Sequence, residues 1–170
     1  MLGDGHNGIY GLELSASYKE AQLSAYANLS FTSARGKGIE TGQFNFATDE
    51  FAYIQSHWVH LDHEQKFAAS AGVSYRFADS TVLGADVLYG SGLRRGFANT
   101  EHLPGFVQVN AAVSRSFALG GFGKFDVRVS AINLFDRSHE LRDGSGIGVG
   151  APQFAPRRTL YLSLSKPFTF

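Results

Sequence analysis

Apolar and polar residues alternate with a period of two along nearly the whole chain. Tyr10, Leu12, Leu14, Ala16 and Tyr18 fall on one side of an extended segment, with Gly11, Glu13, Ser15 and Ser17 on the other. Leu23, Ala25, Ala27, Leu29 and Phe31 oppose Gln22, Ser24, Tyr26, Asn28, Ser30 and Thr32. The cleanest run sets Phe67, Ala69, Ala71, Val73, Tyr75 and Phe77 against Ala68, Ser70, Gly72, Ser74 and Arg76. Leu83 to Tyr89, Val107 to Phe117 and Phe125 to Ala131 repeat the pattern, and Leu160, Leu162, Leu164 and Phe168 close it opposite Tyr161, Ser163 and Ser165. Successive side chains of a strand point to opposite faces, so each run predicts a strand. About seven strands result, each near the roughly 9–11 residues that cross a bilayer at a tilt.

The polar rows decide between two kinds of sheet. A soluble sandwich buries its apolar face and turns Lys and Glu to water. Here the polar rows are mostly Ser, Gly, Asn and Gln, as in a water-filled or plugged lumen, and the apolar rows tend to end in Tyr or Phe, as in an interfacial girdle. Short turns (18–21, 78–80, 118–123) alternate with long polar connections (33–66, 91–104, 136–157). Outer-membrane barrels combine short periplasmic turns with long extracellular loops. The chain is therefore predicted to be all-β, an antiparallel transmembrane β-barrel segment of about seven strands forming one unit over residues 1–170. The first and last of seven antiparallel strands run the same way and cannot close on each other. Further strands are expected to complete the barrel, because open edges in hydrocarbon leave backbone groups unpaired.

Composition narrows this further. Hydrophobic residues make up 44% and charged residues 18%, with 15 Phe and 7 Tyr. Mean hydropathy is −0.10 and no long apolar run occurs, which excludes a transmembrane helix. A formal net charge of +0 offers no basic field for nucleic acid. The absence of Cys excludes disulfides and thiolate metal sites. The first eight residues have neither a basic nor an apolar leader segment, so the chain is expected to be less than a complete outer-membrane precursor.

Several stretches resemble the last strands of TonB-dependent outer-membrane receptors. They are Asn7-Gly8-Ile9-Tyr10-Gly11-Leu12-Glu13-Leu14, Ala69 to Phe77, Asn133-Leu134-Phe135-Asp136, and the closing run from Ala155-Pro156-Arg157-Arg158 to Ser165. Leu160, Leu162, Leu164, Phe168 and Phe170 are similar to the C-terminal signal read by the barrel-assembly machinery, although Lys166 interrupts the row. The resemblance implies a parent barrel of roughly 22 strands around a plug. It also implies a location in the outer membrane of a Gram-negative bacterium and uptake of an iron-siderophore or similar nutrient. The implied partners are outer-membrane lipid and lipopolysaccharide, the remaining strands and plug, and the TonB complex through an N-terminal part. Neither plug nor TonB-box is legible in this chain, which would supply wall and loops. A standalone small outer-membrane barrel with a structural or binding role is the other reading, closed by self-association or by a strand within 51–60 paired to the first strand. A soluble β-sandwich is a third.

Candidate chemistry is sparse. His57, His60 and His63 with Asp62 and Glu64 carry metal-ligand types, but in an extended segment His60 points opposite to the other two, so no metal is assigned. Arg94 and Arg95, after Gly90-Ser91-Gly92, are candidates for binding an anionic ligand through charge-assisted hydrogen bonds, with His57 and His60 as secondary candidates. Gly146 to Ala151 fits a dinucleotide fingerprint only formally, since Pro152 and Pro156 follow in place of a helix. No nucleophile elbow or acid–base constellation is present, so no catalytic residue, cofactor or enzymatic activity is assigned.

Overall fold

A computed structural model describes residues 6–38, 47–145 and 151–167. Seven long strands form one continuous sheet: β1 (His6–Glu20), β2 (Leu23–Lys37), β3 (Phe67–Arg76), β4 (Val82–Gly90), β5 (Phe106–Leu119), β6 (Gly123–Ile132) and β7 (Thr159–Ser165). They pair in chain order, every neighbour antiparallel, as an up-and-down meander. The predicted all-β antiparallel fold is thus present. The sheet is open: β1 and β7 form its two edges and do not pair with each other.

Tight turns close three hairpins at one end. Ala21 adopts φ 43° between β1 and β2, a conformation that two-residue hairpin turns require and that Ala rarely adopts. Between β3 and β4, Phe77 N–H donates to the Thr81 carbonyl at 2.8 Å, and Asp79 accepts the Thr81 N–H at 3.1 Å. A 3-10 turn, Gly120–Phe122, joins β5 to β6. The described parts of the connections 38–66, 91–105 and 133–158 lie at the opposite end.

The long-loop end differs from the sequence expectation. β2 runs five residues past Thr32, and Thr48–Ser56 is a helix, α1, in place of a strand. Only Val59–His60 pairs as a strand, and it does so with Arg35–Gly36 of β2, not with β1. The Asp49 and Glu50 pair falls in the first helical turn, where carboxylates suit the helix dipole. A closing strand within 51–60 is therefore corrected. Two short pairs decorate the other loops, Arg94–Arg95 with Glu101–His102 and Glu140–Arg142 with Gln153–Phe154.

Register aligns the apolar positions into rows. Ala16, Ala27, Ala71, Val87 and Val109 stand side by side across β1 to β5. Next to them run Tyr18, Ala25, Val73, Ala85, Ala111, Ala131 and Leu160, spanning all seven strands. Among the described residues nothing packs over this side: Leu14 is 56% exposed, Val73 49% and Leu162 69%. The buried apolar cluster lies elsewhere, in the loops, where Ile54, Val59 and Ala98 pack with Tyr53. The molecule places its small core above the sheet rim and leaves the sheet's apolar face bare.

Candidate functional site

The opposite face of the sheet is polar and concave. A cavity of about 570 Å³ lies against it, lined by Ser24, Tyr26, Ser74, Asp86, Asn110 and Arg128 among others. A second of about 470 Å³ lies beside Glu13, Ser15, Asn28 and Ser70. Polar side chains here bond to one another both across and along strands. Asn110 Nδ2 donates to Asp86 Oδ2 at 2.7 Å, and Gln108 Nε2 donates to Asn110 Oδ1 at 3.0 Å. Arg128 Nε donates to Ser130 Oγ at 3.0 Å. Gly72 lies under the Tyr26 ring, where a Cβ would come within 2.5 Å of Cε1, so the small residue lets the aromatic lie flat along the wall. Among the described residues, the face is a hydrogen-bonding surface without a nucleophile–base pair.

Glu64 organises the long-loop end. Its side chain is almost fully buried, a costly place for a carboxylate unless hydrogen bonds satisfy it. Oε2 accepts the Ala34 N–H at 2.6 Å and His60 Nδ1 at 2.8 Å, and Oε1 accepts Arg94 Nε at 3.1 Å and Nη2 at 2.5 Å. Burial alone would push the carboxyl pKa up, but hydrogen bonds from His60, Arg94 and the Ala34 amide outweigh it and hold it below the ordinary glutamate range. Since a carboxylate only accepts, His60 carries its proton on Nδ1. One residue thus ties the 59–64 segment to β2 and to the 91–105 connection. Nearby, Glu50 accepts the Ala98 N–H at 2.6 Å and Asn99 Nδ2 donates to the His60 carbonyl at 3.0 Å.

A second polar node joins β6 to β7. Asn133, at φ 52°, is buried, and its backbone N–H donates to Asn110 Oδ1 at 2.9 Å. Its Nδ2 donates to the carbonyls of Arg137 (2.8 Å) and Pro156 (3.0 Å), while Oδ1 accepts the Arg137 N–H at 3.0 Å. Three residues on, Asp136 accepts Arg157 Nε at 2.8 Å and Nη2 at 2.6 Å, a bidentate pair, and the Arg158 N–H at 2.9 Å. The Arg157 guanidinium and the Arg158 amide hold the Asp136 carboxyl far below the usual carboxylate range. The Asn133–Asp136 and Pro156–Arg158 stretches, distant in sequence, interlock in space. Beside them His139 stacks on Phe106 (4.1 Å, 10°), and burial pushes its imidazole pKa down.

The sequence-predicted candidates do not converge. Arg94 is committed to Glu64, and Arg95 pairs with Glu101 at 3.3 Å. His57 stacks on Tyr53 (4.0 Å, 3°), His60 is bonded to Glu64, and His63 is largely exposed beside Asp62. Leu160, Leu162 and Leu164 lie on the bare apolar face of β7, 69–71% exposed. Phe168, Phe170 and the Gly146–Gly150 part of the glycine-rich loop lie outside the described residues. Glu64 and Asn133 escaped sequence reasoning as nodes. For Asn133 the signal was an amide between an apolar strand and a turn, a position that favours left-handed backbone. No family model matches the chain, and no curated protein matches it.

Proposed function

We propose that this chain forms barrel wall and extracellular loops of an outer-membrane transport receptor, the C-terminal strands of the TonB-dependent class, serving uptake of an iron-siderophore or similar scarce nutrient. The observation that carries the reading is the bare apolar face, whose rows stay in register over seven strands, backed by a polar concave face. In water, contiguous apolar surface of this extent is unfavourable and marks an interaction surface. Against lipid it needs no cover, and the polar side then faces a lumen. The two free sheet edges call for partner strands, because each unpaired backbone group in hydrocarbon costs several kcal/mol. The interlocked Asn133–Asp136 and Pro156–Arg158 stretches coincide with two of the segments that resemble that class.

The test is the intact mass of the native species that carries these peptides in an outer-membrane fraction. A product several times heavier than 18.4 kDa, folded and heat-modifiable on gels, is the expected result. A folded, membrane-embedded product of 18.4 kDa overturns the receptor reading in favour of a self-associating small barrel. Recovery in the soluble fraction without detergent overturns both.

A further inference from the structure

The concave face carries two charges of opposite sign that do not meet. Asp86, half-buried on β4, accepts the Asn110 amide through Oδ2, and Arg128, exposed on β6, engages Ser130 Oγ through Nε. Neither forms an ion pair with any described residue. Both line the cavity of about 570 Å³. Register fixes how they stand in it. Asp86 lies opposite Asn110, and Arg128 lies opposite Ser114, further along β5. At roughly 3.4 Å per residue their backbone rows are therefore about 14 Å apart. Midway between them runs a row of small side chains, Ser74, Gly84, Ala112 and Ser130, which leaves a trough between carboxylate and guanidinium. Tyr26 flanks the acidic side, its ring lying over Gly72, the residue opposite Asp86 on β3.

We infer that this trough binds a short peptide with free ends, its ammonium on Asp86 and its carboxylate on Arg128. The inference goes beyond the receptor reading and does not rest on it, since it needs only the concave face. A carboxylate partly withdrawn from water is stabilised by a counter-charge, which the ligand's ammonium supplies, and the Tyr26 ring offers that cation a π face beside it. The guanidinium of Arg128, with donors left over after its bond to Ser130, matches a carboxylate as a planar fork. A simple cation gains only at Asp86 and a simple anion only at Arg128, so a ligand carrying both charges, held apart, is favoured over either. Spacing selects its length. An extended chain spans at most about 3.3–3.6 Å per residue, and the reach of the two side chains shortens the gap, so about three residues bridge it. Hydroxyls along the floor suit the peptide groups between the ends: Ser130 Oγ, which accepts from Arg128, keeps its own O–H to donate.

The experiment titrates the full chain, folded in detergent micelles at neutral pH, with trialanine, N-acetyl-trialanine, trialanine amide and free alanine, and reads affinity by calorimetry. Asp86→Asn and Arg128→Gln are titrated with the same four probes. The wild type is expected to bind trialanine about tenfold or more tighter than either blocked peptide, or than free alanine, which cannot reach both charges. In Asp86→Asn acetylation should cost nothing further while amidation still weakens binding about tenfold, and in Arg128→Gln the two roles exchange. Both variants should keep the wild-type circular dichroism, since an amide at position 86 still accepts from Asn110 and Arg128 is exposed. No detectable binding of trialanine, equal binding of the four probes by the wild type, or an acetylation penalty that survives in Asp86→Asn overturns the inference. None of these outcomes bears on the membrane reading, which fails instead on recovery of the chain from the soluble fraction without detergent.

Discussion

Replacing Asn133 with Ala removes the side chain that holds the β6–β7 connection. Two donated bonds and one accepted bond are lost, leaving the Arg137 N–H and the carbonyls of Arg137 and Pro156 without that partner in a buried site. At about 1 kcal/mol per bond the loss is roughly 3 kcal/mol. Ala must also hold φ 52°, adding about 1 kcal/mol. Asn133→Ala is therefore expected to destabilise by about 4 kcal/mol, and Asn133→Gly by about 3 kcal/mol, since Gly accepts the left-handed backbone. Asn133→Asp keeps the acceptor for the Arg137 N–H but loses both donors and brings buried charge, so it falls nearer Ala than wild type. Urea titration in lipid vesicles, followed by tyrosine fluorescence and by gel mobility of the unheated sample, gives all three values. Asn133→Ala within 1 kcal/mol of wild type, or Gly worse than Ala, would falsify the account of this node.

Three other perturbations probe separate parts of the molecule. Glu64→Gln leaves the Arg94 guanidinium in a mostly buried site without its counter-charge, with an expected loss of about 3 kcal/mol, read as faster hydrogen exchange over 59–64. In the wild type the folded Glu64 carboxyl titrates below its ordinary 4.5; its contribution is complete above that value and is lost as pH falls through the depressed folded value, so protection of 59–64 at pH 7 should decline under strongly acidic conditions. Gly92→Ala, at φ +89° with a Cβ that would meet the Leu103 carbonyl oxygen at 2.0 Å, should cost at least about 2 kcal/mol, and no side-chain truncation nearby should restore it. Val73→Arg on the bare face should cost about 2–4 kcal/mol in lipid, against near zero for Ser74→Arg on the concave face; equal, small effects would show that the bare face does not meet hydrocarbon.

Much of the sheet was legible because alternation is a local property. The strands predicted around Phe67–Phe77, Leu83–Tyr89 and Phe125–Ala131 agree with β3, β4 and β6 to within about two residues at each end. The extra length of β2 was hidden: past Thr32 the outward positions become Ser33, Arg35 and Lys37, so the apolar signal stops while the ladder continues. Helix α1 was missed because Thr48–Ser56 is too short to show a period, and its Ile54 is buried by packing with Val59 and Ala98 from other segments. Arg94 was singled out for its charge as a candidate for binding an anionic ligand, and in the structure its guanidinium is bonded to Glu64. That its partner is Glu64, thirty residues away, depends on loop packing that no spacing rule encodes.

The Asp136–Arg157 clamp sits at the base of the 133–158 connection, where the chain leaves β6 and enters β7. With the base pinned, the length of the loop above it is uncoupled from strand register. Doubling a flexible loop costs only about 0.6 kcal/mol in closure entropy, and here even that falls on the segment beyond the clamp. Residues between Asp143 and Ala151 can therefore gain or lose sequence while Leu160, Leu162 and Leu164 keep their partners Ala131, Val129 and Val127. The connection is built as an exchangeable module: a place where descendants of this chain can vary in sequence, and where an inserted epitope should leave the sheet beneath it intact.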